Sequence, residues 1–306
     1  MRLVFIATGD IALPSLRHLL EHGPRPLALV TQPDKPVGRH QELTPPEVKT
    51  LALASGIPVY QPAKIGDAAA ELAALDPDVL VVMAYGQILG DNILTLPREA
   101  IINLHASLLP KYRGAACIQA AIDAGDAETG ITSMHVVREL DAGDIIDAKS
   151  IAIAPDDTGG SLHDRLADLA ADVMAGTLGK IAAGTASRTP QDEALVSYVP
   201  KLGRDDGRMD WNMPAIALER RIRAYDPWPG TFTTAIEGGK EKRLKIFPPS
   251  RVMGMELPPG SIAGDGDRLI IGCGEGALEL VTVQPEGGRR MSAGEYLRGR
   301  KPQCLS

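Results

Sequence analysis

Residues 101–146 read IINLHASLLPKYRGAACIQAAIDAGDAETGITSMHVVRELDAGDII, and the rest of the chain is best understood outward from them. Ala100 to Leu104 is an apolar run of strand length, and the period-2 alternation of a strand puts Asn103 and His105 on one face of its end. The turn Ser107-Leu108-Leu109-Pro110 and then Arg113-Gly114 break that pattern before a helix-like run from Ala115 to Ala124. A second, acidic turn, Leu140-Asp141-Ala142-Gly143-Asp144, precedes another strand. Asn103 can donate a hydrogen bond, and His105 can carry a proton near neutral pH. If folding brings Asp141 alongside, it can orient the imidazole and favour its charged form. Such a trio suits acyl transfer: an amine adding to a carbonyl needs donors for the oxyanion and an acceptor for its proton, and no covalent nucleophile. On chemistry alone, an Asn-x-His at a strand end is more often a satisfied polar terminus than a catalytic pair.

Upstream, Arg2 to Thr8 reads as a buried strand, Ile11 to His22 as a helix with Leu13, Leu16, Leu19 and Leu20 at helical spacing, and Leu27 to Thr31 as a second strand. Pro45 to Ala54 and Asp67 to Leu75 are expected helices, Val59-Tyr60 a short strand, and Asp78 to Ala84 a strongly apolar one. This alternation predicts an α/β domain, a parallel-rich sheet covered by helices on both faces. In such sheets ligands collect at the carboxyl ends of strands, where Asn103, His105 and the turn Ala84-Tyr85-Gly86 all fall. The first turn has only Gly9 and no G-x-G-x-x-G, so NAD or FAD is not expected although the topology is Rossmann-like. Gln32 to Thr44 is longer than the usual two to six residues of a strand-to-helix connection, which marks it as functional or mobile.

After Asp144 a strand from Ile145 to Ala154 and a helix from Ser161 to Ala183 complete a first domain over residues 1–183. Residues 184–208 are polar and aperiodic, with Pro190 and Pro200, and read as a linker. Residues 209–306 open with a helix through Pro214 to Arg223. Five short strands at 231–236, 243–247, 261–263, 268–271 and 277–283 follow, at the spacing of an OB-like barrel.

The formal net charge of -7 argues against an indiscriminate nucleic-acid binder. Residues 1–183 carry 14 Lys and Arg against 23 Asp and Glu, and residues 184–306 carry 18 against 16, so a nucleic-acid surface should involve the second part. There the clusters Arg220-Arg221-Arg223, Lys240-Lys242-Arg243-Lys245, Arg289-Arg290 and Arg298-Arg300-Lys301 could line an RNA backbone, or simply be solvated faces. Cys117, Cys273 and Cys304 are far apart and odd in number, which supports neither disulfides nor a zinc site, and no metal is expected. No 18-residue apolar run is present, and the start lacks a signal-peptide layout, so the expectation is a cytosolic protein with no membrane partner.

NLHASLLPKYRGAACIQAAI, followed by AGDAETGIT and LDAGDI, resembles the signature of folate-dependent formyltransferases. The resemblance extends through TQPDKPVGR, RIRAYDPWPG and MSAGEYLRG to nearly the whole chain. It implies a Rossmann-like catalytic domain followed by an OB-like tRNA-binding domain. It implies 10-formyltetrahydrofolate as donor and methionine on initiator tRNA as acceptor, in a monomer. It carries the catalytic roles onto Asn103, His105 and Asp141, with Asp144 only the second acid of its turn. In this picture Asn103 and protonated His105 stabilise the oxyanion, while Asp141 holds the imidazole and takes part in proton removal. The folate pocket would be lined by Ser107, Leu108, Leu109 and Pro110 with Ala84, Tyr85 and Gly86, and tRNA would meet Lys35, Arg39, Arg220, Arg221, Arg223, Lys242 and Arg243. The chain departs from the pattern at Ala7, Gly9 and Ile11 in the first turn, at Gln41-Glu42 where basic residues are usual, and at Cys117 where proline is usual. A nucleotide-linked amino sugar or water as acceptor, and an RNA-binding module without catalysis, remain open alternatives at this level.

Overall fold

The apolar runs near the start become a stack of parallel strands. β1 (Leu3–Ala7) is buried over its full length and is followed by α1 (Leu13–Glu21) and β2 (Ala28–Val30). The computed structural model describes residues 1–37, 41–300 and 302–306. The long connection after β2 folds into a hairpin of its own, β3 (Lys35–Val37) and β4 (Glu42–Thr44), pairing Lys35 with Thr44 and Val37 with Glu42. Then come α2 (Glu47–Ala54), β5 (Val59–Tyr60), α3 (Ala69–Ala74), entered through a 3-10 turn at Ile65–Ala68, and β6 (Val79–Met83). After α4 (Asp91–Leu94), β7 (Ala100–His105) runs parallel to β6, with Val82 opposite Asn103. β8 (Arg113–Gly114), α5 (Cys117–Ala124), β9 (Glu128–His135) and β10 (Ile145–Ala152) lead into the long helix α6 (Gly159–Ala182).

The strand order of this sheet is β10-β9-β7-β6-β1-β2-β5. Strands β5, β2, β1, β6 and β7 run parallel to one another, and β9 is antiparallel to β7. Full burial of β1 and β6 explains their unbroken apolar sequences: a parallel strand covered on both faces has no solvent side to make polar. Leu3, Val4, Phe5 and Ile6 are all 0% exposed, each burial contributing about 1.5–3 kcal/mol. β9 is a strand that apolar pattern alone passes over, because Thr129, Thr132 and Ser133 are buried in it.

The second large sheet is antiparallel, with the order β14-β15-β16-β13-β12-β18. Its members, following β11 (Tyr198–Val199) and α7 (Ala215–Ala224), are β12 (Thr231–Glu237), β13 (Lys240–Met253), β14 (Ile262–Asp265), β15 (Arg268–Gly272) and β16 (Ala277–Pro285). The short β17 (Met291–Ser292) pairs with β16, and α8 (Ala293–Gly299) precedes β18 (Pro302–Leu305). A bridge between Ser261 and Cys304 brings the last strand back to the start of β14, so the barrel is nearly closed. Trp211, Leu218, Ile222, Leu244, Ile271, Leu280 and Tyr296 form its core, and the Trp211 indole N–H donates to the Thr233 hydroxyl at 2.9 Å.

The chain forms two compact units that exchange segments. One contains Met1–Gly114, Thr129–Ile151 and His163–Tyr198, and the other Ala115–Glu128, Ala152–Leu162 and Val199–Ser306. The stretch 184–208, expected as a linker, is partly built into the first unit: a 3-10 turn at Glu193–Leu195 leads to Ser197, whose carbonyl accepts the Arg113 N–H at 2.8 Å.

Candidate active site

Asn103 and His105 stand at the carboxyl end of β7 and, as alternation requires, on one face; His105 is 7% exposed and Asn103 half-buried. His105 lies between two oxygens. Its Nε2 is 2.9 Å from the Tyr112 carbonyl, and its Nδ1 is 3.7 Å from Asp141 Oδ2. A carbonyl only accepts, so Nε2 carries the hydrogen, and Nδ1 is the nitrogen left facing the carboxylate. The Asp141 carboxylate also accepts the Gly114 N–H at 2.9 Å. Among the described residues, the Asn103 side chain has no hydrogen-bond partner, which leaves its amide available to a ligand.

Three of the residues that frame this site have backbones that L side chains rarely adopt: Ala84 at φ 46°, Tyr112 at φ 62° and Asp141 at φ 51°. Each holds a carbonyl or carboxylate at a definite place. Ala84 O accepts the Gly9 N–H at 3.2 Å, a bond that a proline in the first turn could not donate. In the second turn, a Cβ on Gly143 would stand 1.7 Å from the His135 carbonyl, so only glycine allows Asp141 to be delivered there.

Ser107 Oγ donates to Lys111 O at 2.7 Å, closing the turn after β7. Thr132, opposite His105 on β9, donates to Ser107 O at 2.7 Å and accepts the Leu109 N–H at 3.1 Å. On the neighbouring strand end Ala84 and Gly86 are exposed, whereas Tyr85 is 2% exposed and belongs to the buried cluster that contains Val4, Ile6 and Leu80. Burial pushes the Tyr85 phenol up to about 12. Of the expected lining, Ala84 and Gly86 therefore present themselves at the surface, and Tyr85 contributes its carbonyl, which accepts from Gln32 Nε2 at 2.5 Å.

A family model for formyl transferase matches residues 1–178, and one for the formyl transferase C-terminal domain matches 201–301. The chain belongs to the formyl transferase family. This formyltransferase is 50% identical over 304 residues to the methionyl-tRNA formyltransferase of Akkermansia muciniphila, covering 98% of this chain and 96% of that one. In fold it is similar to an N-formyltransferase from Helicobacter canadensis, solved with folinic acid and dTDP-3-aminofucose (TM-score 0.67, 17% identity, 95% of this chain and 100% of that one). It is also similar to HypX from Aquifex aeolicus in complex with tetrahydrofolic acid (TM-score 0.65, 17% identity), covering 97% of this chain and 47% of that longer one.

The cations expected to meet tRNA fall into two groups in this formyltransferase. Arg221 is paired with Asp123 on α5 at 3.0 Å, and Arg223 is held by Glu219 at 2.6 Å and by the Asp157 carbonyl at 2.9 Å. Arg220 reaches the Ala124 carbonyl at 3.5 Å, and Lys242 is 3.0 Å from Glu237. Arg221 and Arg223 are thus held by partners within the second unit, while Lys242 keeps a partly exposed side chain beside its partner. Arg243 differs: it is exposed, with its guanidinium 3.5 Å above the Phe232 ring, and Arg290 lies 4.0 Å above Phe247. In the first unit, Lys35 is exposed at the base of the β3–β4 hairpin, its ammonium 2.5 Å from Gln32 Oε1. Arg39 lies outside the described residues.

Tyr112 and Thr132 escaped the sequence reading. Tyr112 acts through its carbonyl, which every residue has, and Thr132 sits on the strand that the apolar pattern missed.

Proposed function

We infer that this formyltransferase moves the formyl group of 10-formyltetrahydrofolate onto the amino group of methionine carried by initiator tRNA, forming N-formylmethionyl-tRNA for translation initiation. The observation that carries the reading is the placing of His105 between Tyr112 O and Asp141, with the free Asn103 amide on the same face. The likeness to the Akkermansia enzyme over almost the full length of both chains supports the acceptor.

The strand ends suit a flat, hydrogen-bonding ring such as that of a reduced folate. Gly86, at φ 77° and without a side chain, and exposed Ala84 leave backbone open to close approach, and half-buried Leu108 and Pro110 offer apolar surface. When bound there, 10-formyltetrahydrofolate supplies an activated formyl group. Asn103 donates its amide hydrogen to the formyl oxygen as that oxygen gains negative charge. The attacking amine, with an ordinary pKa of ~7.7–8.0, needs no covalent step, but it must lose a proton. His105 Nδ1, facing Asp141 across 3.7 Å, accepts it, and Nε2–H bonded to Tyr112 O keeps the ring from turning. The resulting imidazolium returns that proton to the folate N10 as the formyl C–N10 bond breaks and tetrahydrofolate leaves, so one residue serves both amine deprotonation and leaving-group protonation.

tRNA contacts are assigned to Lys35 and Arg39 in the first unit and to Arg243 in the second. Among the described residues no helix is long and apolar enough to cross a membrane. A cytoplasmic monomer is the state in which charged tRNA would be met, and sedimentation at working concentration tests the monomer.

The deciding experiment is a formyl-transfer assay with 10-formyltetrahydrofolate and methionine-charged initiator tRNA, beside uncharged tRNA, a dTDP-amino sugar and no acceptor. Product from the charged tRNA alone is expected. Equal folate release without RNA, or preferential formylation of the sugar nucleotide, would overturn the reading.

A further inference from the structure

Asp141 and Tyr112, the two partners of His105, both occupy the left-handed region, at φ 51° and 62°, a conformation that persists only where the surroundings enforce it. Residues 191–198 hydrogen-bond to both turns. Gln191 is 9% exposed and Arg113 is 2% exposed. Gln191 Oε1 accepts from Arg113 Nε at 3.0 Å and Nη2 at 2.9 Å. Gln191 Nε2 donates to the carbonyls of Asp141 and Gly143, both at 2.8 Å. The orientation of this amide follows from its partners, because a guanidinium only donates and a carbonyl only accepts. Every strong hydrogen-bonding position of the Gln191 side chain is thus used, with its two donors on either side of Ala142. Arg113 is in turn seated by Glu193 at 2.9 Å and the Tyr198 hydroxyl at 3.2 Å. The next residue, Gly114, gives its N–H to the Asp141 carboxylate at 2.9 Å. Six residues further along from Gln191, Ser197 Oγ accepts the Tyr112 N–H at 2.9 Å.

We propose that Gln191 is a positioning residue for formyl transfer, acting through the carbonyls of Asp141 and Gly143 to keep the Asp141 carboxylate facing His105 Nδ1. Ser197 does the same for the Tyr112 carbonyl on the other side of the ring. The inference rests on the roles given to His105 and Asp141 above. It separates Gln191 from a purely structural part, which would be to satisfy the buried Arg113. The two parts use opposite ends of the same amide, and chemistry can remove one end only. Gln191→Glu keeps oxygens for Arg113 and puts an acceptor, in place of two donors, against the Asp141 and Gly143 carbonyls.

The test is steady-state kinetics on full-length Q191E, alone and combined with D141N, with thermal melts alongside. Wild-type activity on charged initiator tRNA is measured first, and its absence would count against the function itself. With wild-type activity in hand, the expected result is a protein still cooperatively folded at the assay temperature, its melting temperature lowered by several degrees because two buried carbonyls lose their donors. A kcat lowered at least ~10-fold with unchanged KM for both substrates is expected with it, because misplacing a catalytic group by a fraction of an ångström weakens only the transition state. In the D141N background the same change should cost less than about twofold, since a residue that acts through Asp141 has nothing left to position. A kcat for Q191E within about twofold of wild type, or an undiminished loss in D141N, overturns the proposal. If Q191E does not fold, Gln191→Met keeps the volume, leaves Arg113 to Glu193 and Tyr198, and is judged by the same thresholds.

Discussion

The Asn103 amide is the group in the site whose loss removes a hydrogen-bond donor and disturbs least else, because no described residue bonds to it. Asn103→Ala should therefore lower kcat by roughly 100-fold to 1,000-fold without moving the melting temperature, as removal of one oxyanion donor does elsewhere; near-full activity would refute its role. His163 offers a second residue-scale prediction. Its Nε2 lies 3.2 Å from Asp10 Oδ1, and the hydrogen bond to Asp10 raises the imidazole above its ordinary 6.5, while the same bond lowers Asp10 below its ordinary 3.8. For the raised histidine, the stability gained is complete below pH 6.5 and is lost as pH rises through its folded value; for the lowered aspartate, it is complete above 3.8 and lost as pH falls through its folded value. The contact is thus worth most between those limits. His163→Gln should lower the melting temperature at pH 5.5, by less than about 1 kcal/mol of stability because Asp10 is largely exposed, and the gap should close at pH 9. An equal gap at both pH values would show that packing, not charge, links the pair. Comparing with wild type at each pH cancels the opposite contribution of His135, which burial holds below its ordinary value.

Elements explain why those residues are where they are. The acidic turn between β9 and β10 passes so close to the end of β9 that a Gly143 Cβ would lie 1.7 Å from His135 O, and His135 N–H donates to Asp144 O at 2.9 Å. Gly143→Ala must push the turn off the strand. A loss of about 1–3 kcal/mol in urea unfolding, typical of overpacking, together with collapse of kcat is expected. Retention of both would mean that the turn adapts. Helix α7 supplies the contrasting case. Its Arg221 is bonded to Asp123 with both side chains about one-fifth exposed, so Arg221→Ala should cost about 1–2 kcal/mol of stability through an abandoned half-buried carboxylate. Arg243→Ala, exposed above Phe232, should leave stability within about 0.5 kcal/mol and raise the KM for tRNA instead. Elements with clean patterns, such as β1, β6 and α1, were legible in the sequence within a residue or two. β9 was not, because its buried Thr132 and Ser133 are polar groups satisfied by Ser107 and by Thr177, the latter at 2.7 Å, and such partners cannot be seen in a pattern of apolar residues.

For the molecule as a whole, a net charge of -7 means that tRNA must be captured by local positive surfaces against a repelling average. Affinity for tRNA should then fall steeply with salt, and Lys35→Ala should reduce the slope of log K against log salt by about one while leaving the folate KM unchanged. Filter binding between low and moderate salt measures it, and an unchanged slope would remove Lys35 from the interface. The division of the chain follows a similar logic of distributed contributions. α5, which follows β7 and β8 in sequence, belongs with the barrel, while Gln191 and Ser197, from a stretch with the composition of a linker, belong with the parallel sheet.

Read alone, the sequence of this formyltransferase determined the parallel sheet, the barrel, and the common face of Asn103 and His105, because strand burial and alternation are local properties written at short spacing. It also determined the family, through NLHASLLP and LDAGDI. Only the tertiary structure decided that Asp141 reaches His105, that Arg221 and Arg223 are spent on internal partners, that Tyr85 is buried, and that Gln191 grips the acidic turn. Each of these is a contact between residues distant in the chain or a choice between two sides of a backbone. Such contacts are set by which polar groups find partners once the apolar core has closed.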